Sequence, residues 1–237
     1  MIDNDVGLFF QSIATESWEK FSVRPRIIAV TGSNGKSTIA SLLHHIFLKL
    51  GYKSQLAGNI GRGVLDIDPP ENNELIVLEL SSYQTEVARI LSPDLAIFTN
   101  FSADHLERHG GIGGYLAAKR RLFTEGCPDY SIIGVDELAG LNLAQQLSAS
   151  IGDESIIRVS VTKQIRRFDW SIFCEGSYLV EHRKGKQINS IDLKIFDSFV
   201  GLHSYQNAAS AYAACRALGL SPSKIAEAMK GFNGLAH

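Results

Sequence analysis

RIIAVTGSNGKSTIASLLHHIF, residues 26–47, is the stretch whose reading decides the fold. RIIAVT is an apolar run of the kind found in strands covered on both faces. Ile39, Leu42, Leu43, Ile46, Phe47 and Leu50 then recur at alternating three- and one-residue steps, which stacks them on one side of a helix closed by Gly51. Between strand and helix stand Gly32, Ser33, Asn34 and Gly35, then Lys36, Ser37 and Thr38. That order is the context of a phosphate loop. The glycines let the chain curl with its amides inward, and the helix N-terminus adds its dipole. Lys36 would reach the β/γ-phosphates and the Ser37 hydroxyl would ligate magnesium. The commoner loop, G-x-x-x-x-G-K-[ST], has a glycine where Val30 stands, so a variant with a tighter approach from the strand is expected.

Outward from the loop, strands and helices alternate. ELIVLEL (74–80), LAIFTN (95–100) and YSIIGV (130–135) read as further buried strands, with helices over 87–91 and around 115–123. A short amphipathic helix over 6–14 precedes them, joined by a polar link through Pro25. Continuous apolar strands separated by helices predict an α/β fold, a mostly parallel sheet with helices on both faces. From about Ile156 the pattern alternates apolar and polar in FDWSIFCEG, SYLVEHRKGKQ and SIDLKIF, which predicts a small antiparallel β portion in the C-terminal half. Helices over 203–218 and 222–230 follow.

The bulk properties narrow the function classes. With 23 Lys+Arg against 25 Asp+Glu and no basic block, the chain has no footprint for nonspecific nucleic-acid or anionic-membrane binding. Cys127, Cys174 and Cys215 are far apart, form no C-x-x-C pair, and read as buried inert thiols in a reducing cytosol. The N-terminus is acidic rather than basic, and no apolar run reaches membrane-spanning length. A cytoplasmic protein, or a piece of one, is the expectation.

Further polar residues fall on the edge where open α/β sheets bind ligands, at the C-terminal ends of parallel strands. Glu79 ends the second buried strand and reads as a metal-directed carboxylate or a solvated strand-end residue. Asp104 and His105 lie just past the third strand. Magnesium prefers oxygen ligands, so spacing alone does not make His105 a ligand.

At this point the residues resemble a family, the ATP-dependent Mur ligases of peptidoglycan-precursor synthesis. Thr31 to Thr38, Gly58-Asn59-Ile60-Gly61, the block Leu78 to Gln84 (LELSSYQ), Asp104 to His109 and Tyr115 to Lys119 all have counterparts, in register. The E-L-S-S-[FY]-Q block is the most discriminating and points to the branch that adds D-glutamate to UDP-N-acetylmuramoyl-L-alanine. The resemblance implies that residues 26–237 are the central ATP-binding domain. Residues 1–25 would be a linker and helix from an N-terminal domain, and a C-terminal domain would follow. It implies ATP held by Gly32 to Thr38 and by Asn207. Two magnesium ions would be held by Ser37, Glu79, His105 and Lys119, with Lys119 carried as a carbamate. Lys36, His105 and Lys119 would serve catalysis, and Asn59 and Ser81 would contact the muramoyl-alanine end of the substrate. One departure stands out. His203-Ser204-Tyr205-Gln206-Asn207 has serine in place of the first asparagine of the family's H-N-x-x-N. Such an excised domain would be a cytoplasmic monomer that binds ATP-Mg weakly and does not turn over.

Three rivals stay open. Another Mur-type or folylpolyglutamate-type ligase would share the loop. A non-catalytic nucleotide module would not need Glu79, His105 and Lys119 to converge. A plain phosphotransferase would need a base, for which Asp104 is the candidate.

Overall fold

Every residue of β1 (Arg26–Thr31) after Arg26 is buried, because this strand lies inside a sheet with helices on both sides. The computed structural model describes residues 3–15, 18–102 and 110–234. Beyond β1 the strands are β2 (Ser54–Gly58), β3 (Leu75–Glu79), β4 (Leu95–Phe98), β5 (Tyr130–Gly134), β6 (Ile156–Ser160), β7 (Trp170–Glu175), β8 (Tyr178–Arg183) and β9 (Lys186–Asp192). The helices are α1 (Asp5–Thr15), α2 (Lys36–Lys49), α3 (Ser82–Val87), α4 (Ile112–Thr124), α5 (Leu138–Ile151), α6 (Leu202–Ala217) and α7 (Pro222–Met229). The described strands form one sheet of order β2-β3-β1-β4-β5-β6-β7-β8-β9. Pairing is parallel from β2 through β7 and antiparallel across β7-β8-β9.

Side chains alternate across the strand, so both faces of β1 must be apolar. Ile28 and Val30 join Leu42 and Phe47 of α2, Tyr212 of α6 and Ile225 of α7. Ile27 and Ala29 join Phe10 of α1, Leu122 of α4 and Leu143 of α5 on the other face. The helix α6 is rich in alanine and buried along most of its length, which lets its backbone lie close to the sheet. That closeness brings its N-terminal half, with Asn207, against Gly35 in the loop between β1 and α2.

Three sequence expectations are corrected and one is borne out. The helix placed over 87–91 is α3, and it starts at Ser82 and ends at Val87. Its start is set by a capping box between Ser81 and Gln84, and Ala88 is already extended. A parallel strand, β2, occupies 54–58, where only a loop was expected; it sits at the sheet edge with one fully buried residue, Ala57, so its apolar signal is weak. The antiparallel portion expected in the C-terminal half is β7-β8-β9, and because β7 also pairs in parallel with β6 it extends the main sheet. Cys174 and Cys215 are buried, but Cys127 is exposed in the turn after α4, at φ 44°. Burial pushes the Cys174 thiol up to about 12 and raises Cys215 as well, which keeps both protonated and inert.

Candidate active site

The loop between β1 and α2 is four residues long, Gly32 to Gly35. Val30 pairs with Glu79 on one side and Ile97 on the other, so the position of the commoner loop's first glycine falls inside the central strand. This is the tighter approach that the missing glycine implied. Gly32 has φ 136°, and a Cβ there would lie 2.0 Å from Thr99 Oγ1 and 3.0 Å from the Thr99 amide nitrogen. Gly35 caps α2 at φ 81°, and a Cβ there would lie 2.2 Å from Asn207 Oδ1. Both glycines are thus required twice, by left-handed backbone and by the approach of β4 and α6.

Beside the loop is a cavity of about 270 Å³ whose lining includes Ser33, Lys36, Asn59, Ser81, Tyr115 and Lys119. Lys36 Nζ folds back to donate to the Ser33 carbonyl at 2.8 Å. Lys119, on α4, is 2 % exposed and donates from Nζ to the Gly32 carbonyl at 2.7 Å. Its ammonium also lies 4.5 Å from the Tyr115 ring centre. Burial first, and the Lys36 charge second, lower the Lys119 pKa from 10.5 to about 7. Glu79 ends β3 and is 1 % exposed. Its Oε1 accepts from Asn59 Nδ2 at 3.4 Å, while Oε2 is buried with no hydrogen-bond partner among the described residues. Asn59 is held from its backbone too, its amide donating to the Glu79 carbonyl.

Ser81 faces the cavity, but its side chain also accepts from the Gln84 amide while its own amide donates to Gln84 Oε1, which closes the capping box of α3. Arg121, two residues past Lys119, donates to the carbonyls of Thr85, Glu86 and Ala88. That guanidinium satisfies the C-terminal end of α3 and ties it to the helix that carries Lys119. Ser37 and Thr38 stand half-buried in the first turn of α2.

The structure therefore brings Ser33, Lys36, Asn59, Ser81 and Lys119 around one cavity, with Glu79 bonded to Asn59 and Gly32 to Lys119. Asn207 packs against Gly35 on the α6 side. Asn34 is exposed, with its amide donated to Asn100 Oδ1. His105 and Asp104 lie outside the described residues. Sequence reasoning gave no role to Asn100, Gln206, Tyr115 or Arg121, although Tyr115 and Gln206 stand inside the quoted motifs. A polar Thr-Asn pair ending the buried run 95–100 was a usable signal for Asn100, since it falls on the ligand edge of the sheet. Among the described residues no group of three or more His, Cys, Asp or Glu gathers, and no helix is long and apolar enough to cross a membrane.

The sequence model of the Mur ligase middle domain matches residues 30–215. The chain belongs to the Mur ligase middle domain family. A protein of Cereibacter sphaeroides named UDP-N-acetylmuramoylalanine--D-glutamate ligase is 57% identical over 100% of this chain and 51% of its own length. A Ruegeria pomeroyi protein of the same name is 58% identical over 100% of this chain and 51% of its own. The chain thus spans about half the length of the curated relatives it matches. Two solved Mur ligases share the fold. A UDP-N-acetylmuramoyl-L-alanyl-D-glutamate--2,6-diaminopimelate ligase superposes with TM-score 0.71 at 22% identity, over 92% of this chain and 49% of its own. A UDP-N-acetylmuramate:L-alanyl-gamma-D-glutamyl-meso-diaminopimelate ligase from Neisseria meningitides gives TM-score 0.65 at 17% identity, over 96% of this chain and 71% of its own.

Proposed function

We propose that this Mur ligase middle domain is the ATP-binding part of a longer enzyme that joins D-glutamate to UDP-N-acetylmuramoyl-L-alanine. The observation that carries the reading is one cavity lined by Lys36 and Lys119, beside a buried Glu79 whose second oxygen lacks a partner among the described residues. The Lys36 ammonium suits a polyphosphate, and a buried carboxylate oxygen without a partner among the described residues suits a cation bound to it. The branch assignment is supported by the LELSSYQ block and by the names of the relatives.

A carboxylate is a poor electrophile because its leaving group would be oxide. In the proposed reaction a substrate carboxylate oxygen attacks the γ-phosphorus and the bond to ADP breaks. The amine of D-glutamate then attacks the acyl carbon, the bond to phosphate breaks, and the amine loses a proton. No protein nucleophile is needed, only alignment and charge neutralisation. Lys36 leaves the Ser33 carbonyl for the β/γ-phosphates, and the helix α2 presents its N-terminal amides. Ser37, Glu79, His105 and a carbamate on Lys119 would hold two magnesium ions, which supply neutralisation of phosphate charge. The donor set fits, being hydroxyl and carboxylate oxygens for the most part. Lys119 is suited to carbamate formation because its amine is neutral at a much lower pH than that of an ordinary lysine. In that step the neutral nitrogen bonds to the carbon of CO2 and releases a proton.

Residues 1–25 are assigned to the junction with a preceding domain and residues 26–237 to the ATP-binding domain, the remaining walls of the site coming from flanking domains. The chain alone is accordingly a monomeric, cytoplasmic nucleotide binder without turnover. A coupled phosphate-release assay on the full-length encoded protein, with UDP-N-acetylmuramoyl-L-alanine and a panel of amino acids, tests the reading. D-Glutamate should be the accepted amine. Release with a diaminopimelate or polyglutamate acceptor instead would move the chain to another ligase of the family, and turnover by the 237-residue chain alone would overturn the division into domains.

A further inference from the structure

Two side-chain amides stand between the phosphate loop and α6, and the chemistry above uses neither. Asn100 Oδ1 accepts from the Asn34 amide at 2.8 Å, and Asn100 Nδ2 donates to the Asn34 carbonyl at 3.2 Å. One side chain thus binds both backbone groups of a loop residue, as a neighbouring strand would. The Asn100 carbonyl takes the Ser33 amide at 3.0 Å, and Thr99 Oγ1 donates to the Asn34 carbonyl at 2.8 Å. On its far side Asn100 Nδ2 donates to Gln206 Oε1 at 3.2 Å, and Gln206 Nε2 donates to the Thr99 carbonyl at 3.1 Å. Gln206 is 7 % exposed and immediately precedes Asn207 on α6.

These bonds decide which amides are available to an anion. An N–H already donated along the β4 side cannot at the same time point at a phosphate, which removes Ser33 and Asn34. The first intrahelical bond of α2 runs from the Ile39 amide to the Gly35 carbonyl. The amides of Gly35, Lys36, Ser37 and Thr38 therefore have no acceptor within the helix.

We propose that Asn100 and Gln206 are positioning residues for the nucleotide. They hold the loop in the frame set by α6, withholding Ser33 and Asn34 and presenting Gly35 to Thr38. The contact made by Asn207 and the phosphate contacts then move as one rigid unit. The proposal rests on the nucleotide reading above, but its first test does not need a nucleotide. In nucleotide-free protein, amide hydrogen exchange at Asn34 should be faster in Gln206→Met than in wild type by about tenfold, the size expected for one lost hydrogen bond. Exchange at Ile172, in β7, should stay the same. Unchanged exchange at Asn34, or equal acceleration at both sites, overturns the relay.

The second test separates positioning from plain structural support. In Gln206→Glu the new carboxyl faces one donor, Asn100 Nδ2, and one acceptor, the Thr99 carbonyl. Only its protonated form can satisfy both, and burial favours that form. ATP affinity relative to wild type should be near unity at about pH 5.5 and fall about tenfold by about pH 8. A deficit that does not vary with pH, or no deficit, contradicts the proposal. If wild type itself binds no ATP, the nucleotide reading fails, and the exchange result still judges the relay.

Discussion

The Lys119 ammonium donates to the Gly32 carbonyl at 2.7 Å, so the buried amine of α4 is bonded to the first residue of the loop between β1 and α2. Burial and the Lys36 charge hold its pKa at about 7, against 10.5 for a free lysine. Between those two values the unfolded chain keeps a proton that the folded chain has released, so stability rises with pH through that window. Below about 7 both states are protonated and the folded state bears the full cost of a buried cation. Lys119→Met should therefore raise the melting temperature most at low pH and least at high pH, read by thermal denaturation across the pH series. A difference that does not change with pH contradicts the burial argument.

The same amine gives a chemical prediction. Carbamate formation needs the neutral nitrogen, so incubation with 13C-bicarbonate should produce a carbamate carbon signal that grows as pH rises through about 7. The signal should be absent in Lys119→Met. Labelling that persists in that variant would place the carbamate elsewhere.

Glu79 carries the opposite prediction. Its Oε2 is buried without a partner among the described residues, a costly arrangement that a cation would relieve. Glu79→Gln should raise the melting temperature of the metal-free protein by a few degrees. It should also remove the magnesium dependence of ATP binding, measured by titration calorimetry with and without Mg2+. A variant that melts lower and keeps the full magnesium effect would show that Glu79 is a structural residue only.

Gly32→Ala tests the close approach of β4 to the loop. The added methyl would meet Thr99 Oγ1 at 2.0 Å and the Thr99 amide nitrogen at 3.0 Å, on backbone at φ 136°. Two independent penalties should together lower the unfolding free energy by about 2 kcal/mol or more, measured by urea denaturation. A loss under about 0.5 kcal/mol, the level of an ordinary surface substitution, would mean the loop relaxes freely.

The parts of the fold legible in the sequence are those buried on both faces. RIIAVT, ELIVLEL, LAIFTN and YSIIGV are near-continuous apolar runs because they become β1, β3, β4 and β5 in the middle of the sheet. β2 was silent because an edge strand with one fully buried residue carries little apolar pattern. The helix α3 was misplaced because the apolar run 87–91 outweighed a better signal, the S-x-x-Q capping box at Ser81 and Gln84. In the site, Lys36, Asn59, Ser81 and Lys119 were found through motifs and do share a cavity. Asn100 and Gln206 were missed because their role is a pairing across 106 residues of chain, which no local spacing encodes.

The central claim is that the cavity beside Gly32 to Gly35 takes the phosphates of ATP, with Lys36 as the mobile cation. Titration of Mg-ATP into wild type and Lys36→Ala, followed by calorimetry, measures it directly. The account predicts one saturable site in wild type, competed by ADP, and a Kd weaker in Lys36→Ala by roughly tenfold to a hundredfold, the worth of a lost charge-assisted bond. Equal affinity in the two proteins would contradict it.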